Sequence, residues 1–385
     1  MKKFDVAIVG AGPSGSSAAI ALARKGYSVA LLDKEQFPRE KLCGDFLNPV
    51  NWPLLRQLGV EREVLSRPHE KVTGFRLTSF AGDEAEVPLP QRKGATAFGL
   101  GLRRFDLDHV LFKQAEHSGA TVLQGCRVKE LRRASDDWLL LCERPGMIDR
   151  FRATNLIGAD GRNSWVAHHL DMTGGMARQG RSVGFQVHLK CSEGVAGKVE
   201  IHLFPGGYAG LVRLNRDTVT LGLAIDKSRL PDHRPAEFVL NCCLPQNPWL
   251  REIVRDEHIG EVRSAYPIYL APRRVCGEGV LLVGDAARVN EPVTGEGIYF
   301  ALKSGLLAAN AIHQAFEKTD LSAAHLSAYA REWRRVFCLR RRTNSLIRWI
   351  IYRPALLSPF IHLSAKRRRV LDSIVQAICS PEAVG

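Results

Sequence analysis

Apolar residues along this chain follow three different periods, and the changes of period mark its organisation. Residues 5–9, Asp-Val-Ala-Ile-Val, form a short apolar run that reads as a buried strand and ends at Gly10-Ala11-Gly12-Pro13-Ser14-Gly15. An Ala-rich helix pattern through Ala23 follows, then Gly26, then a second apolar run, Val29 to Leu32, closed by Asp33. Strand, glycine turn, helix and acid-tipped strand within about thirty residues make one βαβ unit of the dinucleotide-binding type. A further apolar run, Gly279 to Val283, leads into Gly284-Asp285-Ala286-Ala287-Arg288, a loop through Pro292-Val293-Thr294-Gly295-Glu296-Gly297-Ile298, and a helix pattern rich in Ala and Leu. Such a strand-loop-helix junction offers unpaired N–H groups and the positive end of a helix dipole, so an anionic ligand is expected there.

Between these runs the pattern changes. Arg103 to Asp108 opens a helix, Gly119-Ala120-Thr121-Val122 signals a strand, and residues 126 to 153 read as a hairpin or meander. Leu156-Ile157 then enters Gly158-Ala159-Asp160-Gly161-Arg162-Asn163-Ser164, an acid between glycines at a strand tip. From about 180 to 270 the period becomes two, with a helix near Pro235 to Cys243, which predicts an inserted, mostly antiparallel sheet. The fold class is therefore α/β. A Rossmann-like nucleotide domain is assembled from residues 1–75, 100–180 and 272–320, a substrate domain from 76–99 and 181–271, and a C-terminal helical region from 321–385.

Composition narrows the function classes. With 45% hydrophobic and 24% charged residues, the chain of 385 residues reads as globular, and no apolar run reaches the length of a membrane span. The start passes straight into a strand pattern with no cleavable apolar segment, so a cytoplasmic protein is expected. Nine scattered cysteines without a C-x-x-C spacing indicate reduced thiols and no metal site. The net charge of +14 is concentrated after residue 330, where arginines alternate with Leu346, Ile347, Trp349, Ile350 and other apolar residues. That interleaving fits a membrane surface better than nucleic acid, and fits equally a helical layer packed on the main domain. No nucleic-acid partner is expected.

Three ordered motifs, G-A-G-P-S-G with its distal acid, G-A-D-G-R-N-S, and G-D-A-A-R with P-V-T-G-E-G-I, resemble those of the FAD-dependent oxidoreductases of the aromatic-hydroxylase fold. K-L-C-G-D at 41–45 and P-V-T-G-E-G-I-Y-F-A-L-K-S-G at 292–305 look most like the geranylgeranyl reductase branch. The resemblance spans roughly residues 4–315. It implies that Gly10, Gly12 and Gly15 hold the FAD pyrophosphate and Asp33 the adenosine ribose, with Pro13, Ser14 and Lys34 also binding the cofactor. Arg104, at the start of an R-x-x-x-D helix, and Lys41 would stand near the cofactor. Asp160 and Gly161 would serve FAD and a transient NAD(P)H donor. Gly284 and Asp285 would hold the ribityl or pyrophosphate region, while Pro292, Gly295, Glu296, Gly297 and Ile298 would lie at the pyrimidine edge of the flavin ring. Glu296 is read as a helix-start cap in preference to a general acid.

The resemblance further implies a small hydrophobic substrate. In the reductase reading Cys43, beside the flavin, donates the proton that follows hydride transfer to an olefin, with Tyr208 as the second catalytic candidate. The alternative is an NAD(P)H- and O2-dependent monooxygenase acting on an aromatic or polyketide substrate. The reductase branch usually carries Y-x-W-x-F-P in the inserted sheet; here Tyr208 is kept and Gly210 stands where Trp is expected, widening the pocket. The W-x-W-x-I-P segment of flavin halogenases is absent. A basic surface-binding protein with a purely structural Rossmann unit is disfavoured by the convergence of three motifs.

Overall fold

The computed structural model describes residues 1–90, 98–173, 182–190, 195, 197–253, 258–268, 273–289, 292–353 and 368–379. The first βαβ unit is β1 (Lys2–Val9), α1 (Pro13–Ala23) and β2 (Val29–Leu32). Then come β3 (Phe46–Leu47), α2 (Trp52–Leu58), α3 (Glu61–Ser66), β4 (Glu70–Val72), β5 (Gly74–Thr78), β6 (Glu84–Pro88), β7 (Gly99–Gly101) and α4 (Arg104–His117). Strand β8 (Thr121–Leu123) is followed by the meander of β9 (Arg127–Ala134), β10 (Asp137–Arg144) and β11 (Met147–Gly158), and then by the short α5 (Trp165–His169). The inserted segment holds β12 (Ser182–Lys190), β13 (Lys198–Phe204), β14 (Gly207–Asn215), β15 (Thr218–Asp226), α6 (Pro235–Phe238), α7 (Pro248–Ile253) and β16 (His258–Ala265). The chain closes with β17 (Cys276–Gly277), β18 (Val280–Leu282), α8 (Gly297–Glu317), α9 (Ala323–Ile351) and α10 (Arg368–Cys379).

Eight strands form the nucleotide sheet in the order β17-β18-β11-β1-β2-β8, with β10 and β9 running off β11. Its centre is parallel: β1 pairs with β11 and β2, β11 with β18, and β2 with β8. Strands buried on both faces must be apolar throughout, and Val6, Ala7, Ile8, Ala30, Leu31, Leu156 and Leu281 are all fully buried. All three motif loops leave the same, carboxyl edge of this sheet, which is why residues almost 300 positions apart converge.

The inserted sheet has seven strands, β16-β12-β15-β14-β13-β5-β6, antiparallel except where β13 meets β5. The alternation puts Phe185, Val187, Leu189, Leu211, Leu221 and Leu223 on one face, covered by Val239, Leu244 and Leu250 of the 235–253 segment. The other face carries Val199, Ile201, Tyr208 and Val212, and is covered by Ile351, Leu371, Val375 and Ile378 of the last two helices. Three expected boundaries shift. Strand β5 begins at Gly74, so residues 74 and 75 belong to the inserted sheet. Phe46–Leu47, Glu70–Val72 and Gly99–Gly101 form a separate three-stranded sheet that the periodicity did not distinguish. The helix expected near Pro235 to Cys243 is α-helical only to Phe238 and continues as a π-helical turn, Val239–Cys243.

Helix α9, 29 residues long, is the structural core of the C-terminal region. Leu326, Tyr329, Trp333 and Phe337, recurring at three- and four-residue steps, are buried along one stripe. Tyr329 donates its hydroxyl to the Leu282 carbonyl at 2.8 Å, pinning the helix to β18. Burial of each such large side chain contributes roughly 1.5–3 kcal/mol. Ser322 caps the start, its Oγ accepting from the His325 N–H at 3.2 Å. Among the described residues no helix is long and apolar enough to cross a membrane, and no cluster of His, Cys, Asp and Glu could hold a metal.

Candidate active site

A cavity of about 800 Å³ lies where the two large sheets meet, lined by the three motif loops, by residues 39–46 and by the inner face of the inserted sheet. At its nucleotide end the backbone does most of the work. Gly10 has φ +105°, and a Cβ there would lie 2.4 Å from the Ala159 carbonyl oxygen of the neighbouring motif. A Cβ at Gly15 would lie 1.8 Å from the Gly10 oxygen, so this position packs helix against turn and does not itself reach the cavity. Helix α1 starts with Gly12 extended, Pro13 in its first turn and no side-chain cap, leaving its leading N–H groups open toward the cavity. Helix α8 likewise starts uncapped, with Gly295, Gly297 and Ile298 on the cavity wall. Two uncapped helix starts on one cavity suit a ligand carrying negative charge at two separated places.

The acids at this end are tied into the fold. Asp33 accepts from Ala11 N at 2.7 Å and Glu35 N at 2.9 Å, which fixes the tip of β2 against the glycine turn. Asp160 accepts from Ser164 Oγ at 2.5 Å and Val166 N at 3.0 Å, shaping its own loop, and its burial raises the carboxyl pKa against those bonds. Lys41 and Asp285 both line the cavity. Part of the Lys41 surface faces the open cavity, but crowding on its protein side lowers the ammonium pKa, an effect the Asp285 charge opposes.

At the opposite end, the Lys41–Asp45 loop lies over the inserted sheet. Asp45 adopts φ 53° and is 2% exposed. Its Oδ2 accepts from Gln186 Nε2 at 2.9 Å and Thr220 Oγ1 at 2.8 Å, while Oδ1 accepts from Arg104 N at 3.1 Å. Gln186 in turn accepts the Cys43 N–H at 3.2 Å. Asp45 thus fastens the cysteine loop both to the sheet and to α4. Residues Asp45, Gln186 and Thr220 were not selected from sequence; the signal was polar Gln186 and Thr220 at buried positions of largely apolar strands. Burial pushes the Cys43 thiol up, more than neighbouring Arg104 pulls it down, so the sulfur keeps its proton at neutral pH. Burial works against the Arg104 charge, but a bidentate bond to Asp108, at 2.7 and 2.8 Å, and contact with Cys43 hold the guanidinium charged.

Below the loop, Gly210 and Gly222 face each other across β14 and β15. A Cβ at Gly210 would meet nothing nearer than 3.8 Å, and one at Gly222 only the Gly44 Cα at 3.6 Å. The absent side chains leave room between loop and sheet, and Phe75, Val199, Ile201, Tyr208, Val212 and Ile268 make the wall around it apolar.

The expected role of Glu296 is corrected. Its side chain makes no cap and does not line the cavity; it is 1% exposed and ion-paired with Arg340 of α9, from the region that carried none of the motifs. Burial raises its pKa, to about 6, against the pull of Arg340. Arg340 also donates to the Ile378 carbonyl at 3.2 Å and lies 4.6 Å from the centre of the Tyr299 ring. One turn on, Asn344 Nδ2 donates to Thr294 Oγ1 at 2.9 Å. The loop between Pro292 and Gly297 is therefore held from behind by α9. The initiating signal was invisible because an arginine among many solvated arginines looks the same in sequence.

The model of the FAD-binding domain matches residues 3–206, more than half of the chain. The protein is an FAD-dependent oxidoreductase. Residues 213–368 of this flavoenzyme also match the squalene epoxidase family model. It is 30% identical over 370 residues to the menaquinone reductase of Mycobacterium tuberculosis, covering 89% of this chain and 84% of that one. It is also 30% identical over 363 residues to the digeranylgeranylglycerophospholipid reductase of Methanothrix thermoacetophila, covering 86% and 83%. A solved flavin-dependent brominase superposes with a TM-score of 0.82 at 22% identity, covering 100% of this chain and 96% of that one, a likeness of fold.

The residues fit FAD. Gly10 makes the tight turn against Ala159, Gly12 leaves the backbone open beside an uncapped helix start, and Lys34, Arg39, Lys41, Arg127, Lys129 and Arg162 add cations to the same wall. Of the residues selected from sequence, Gly10, Gly12, Pro13, Ser14, Asp33, Lys34, Lys41, Cys43, Arg104, Asp160, Gly161, Tyr208, Asp285, Pro292, Gly295, Gly297 and Ile298 line one cavity of the flavoenzyme. Gly15 and Gly284 stand behind it as packing positions: a Cβ at Gly284 would lie 2.6 Å from Ser14 Oγ.

Proposed function

We propose that this flavoenzyme reduces carbon-carbon double bonds in the prenyl chain of a hydrophobic isoprenoid, with NAD(P)H as a visiting electron donor. The observation that carries the reading is the placement of a protonated thiol, Cys43, over an apolar slot whose floor is the Gly210–Gly222 pair. Both relatives named as reductases act on isoprenoid-bearing molecules by their names. FAD, when bound, supplies the hydride chemistry.

The chain's own residues then have distinct tasks. Phe75, Val199, Ile201 and Ile268 exclude water from an extended apolar chain. Cys43 holds a proton at Sγ and delivers it to the carbon that does not receive the hydride; the thiolate left behind is stabilised by the Arg104 guanidinium and recovers a proton from solvent. Asp45 and Gln186 keep the sulfur at a fixed height above the sheet. Tyr208, 5% exposed on the same wall, closes the slot beside the olefin. The glycine-turn βαβ unit at residues 2–33 is spent on FAD, so NAD(P)H enters through the same cavity mouth.

Anaerobic incubation of the reduced flavoprotein with geranylgeranyl lipids and with menaquinone tests the reading, followed by mass spectrometry. Saturation of one or more prenyl double bonds without O2 is expected. Product formed only with O2, and carrying its oxygen, would establish the monooxygenase alternative instead.

A further inference from the structure

Helix α9 presents two unlike faces. At about 100° per residue, Trp333, Phe337, Arg340, Asn344 and Ile351 fall on one side and are buried. Leu339, Arg342, Leu346, Trp349 and Arg353 fall together on the other, where Leu339, Leu346 and Trp349 are 46%, 58% and 49% exposed. Three large apolar side chains in one open stripe are unusual on a helix whose other exposed positions are arginines and small residues, Arg331, Arg334, Arg335 and Arg342 with Ala323, Ala324, Cys338 and Ser345. Arg353 stacks over the Trp349 ring at 4.5 Å, an arrangement that presents cation and aromatic together.

The charge around the stripe is one-sided. Glu332, already bonded to Arg335 at 2.7 Å, is the single acid in α9. From Trp333 to Leu371 the sequence has eleven Lys and Arg and no Asp or Glu. A cationic face with Trp and Leu at its centre matches the headgroup layer of an anionic bilayer, where aromatic and aliphatic groups enter the acyl boundary and arginines meet phosphates. A nucleic acid would be met by the arginines but would leave the Leu339–Leu346 stripe wet.

We propose that the outer face of α9 docks this enzyme on an anionic lipid surface. The inner face of the same helix holds Thr294 and Glu296, and its last turn joins the apolar cluster behind Tyr208. Docking therefore places on the bilayer the helix that backs both the Pro292–Gly297 loop and the apolar cluster behind Tyr208. The contact is measured without substrate, so its failure and that of the reductase reading are separate.

Co-sedimentation of the full-length holoprotein with phosphatidylcholine vesicles, and with vesicles of phosphatidylcholine and phosphatidylglycerol in equal parts, tests the proposal. At least tenfold stronger binding to the anionic vesicles is expected, weakening as salt rises. Leu346→Ser with Trp349→Ser, and separately Arg342→Glu with Arg353→Glu, each lower that binding roughly tenfold or more while the flavin absorbance and helical circular dichroism stay unchanged. Equal binding to both vesicle types would overturn the proposal without any variant. So would unchanged binding in both folded double variants, or displacement of the protein from anionic vesicles by short duplex DNA at stoichiometric amounts.

Discussion

The two ends of the cavity are built by different means. The nucleotide end uses backbone: turns that close only with glycine, helix starts left uncapped, and acids spent on holding loops in place. The substrate end uses side chains from β5, β13, β14, β15 and the 39–46 loop, backed by α9 and α10. In the proposed function, a backbone site of the first kind suits the groups every FAD shares and tolerates little change. A side-chain wall of the second kind would fit the substrate and can be reshaped a residue at a time.

That contrast can be broken most severely at the nucleotide end. Gly15→Val places carbon on the Gly10 carbonyl, where neither backbone segment can yield; loss of co-purifying flavin and destabilisation by more than about 3 kcal/mol are expected in absorbance spectra and urea unfolding. Arg340→Ala attacks the seam between the two ends. It leaves Glu296 buried without its partner at a cost of roughly 3–5 kcal/mol, and Glu296→Leu added to it restores a good part of that loss. Asp45→Ala removes the carboxylate partner of Gln186, Thr220, His188 and the Arg104 N–H for about 1–3 kcal/mol; flavin content stays, while product formation falls and its pH profile shifts because the thiol of Cys43 is no longer held beside Arg104.

Smaller effects sharpen the substrate end. Gly210→Phe adds its ring on the cavity wall from a position where a Cβ makes only an ordinary contact, 3.8 Å to the Gly222 carbonyl oxygen, so it should leave stability within about 1 kcal/mol and FAD binding intact, yet shift preference toward shorter prenyl chains in competition assays. The smallest expected effect is titration of Glu296, which faces Arg340 with Tyr299 and Cys379 nearby. Its folded pKa, about 6, lies above its ordinary value of 4.5, so the stability it contributes is present below pH 4.5 and lost as pH rises through 6. Urea midpoints should show a decline on the order of 1 kcal/mol over that window, absent in Glu296→Gln.

The same division explains what could be read from the chain. Gly10, Gly12, Asp33, Asp160 and Asp285 sit in contiguous motifs because backbone sites are local in sequence; their convergence follows from strand order alone. The inserted sheet was legible as a period of two, but not which of its residues face the cavity, since both faces are buried and both alternate. Asp45 stood inside a recognised motif without a role, because its partners Gln186 and Thr220 lie on strands more than 140 residues away. Glu296 was assigned to the cofactor because α8 begins beside it, and only the three-dimensional packing of α9 supplies Arg340.

The central claim is that Cys43 delivers the proton when a prenyl double bond is reduced. Anaerobic turnover in D2O of the wild type and of Cys43→Ser, with FAD content matched, tests it most directly. The account predicts that the wild type places a solvent-derived deuteron on one carbon of the saturated bond, and that Cys43→Ser loses at least tenfold in this step while its flavin is reduced by NAD(P)H at the wild-type rate. Saturated product formed equally fast by Cys43→Ser, with the same deuterium content, would contradict it.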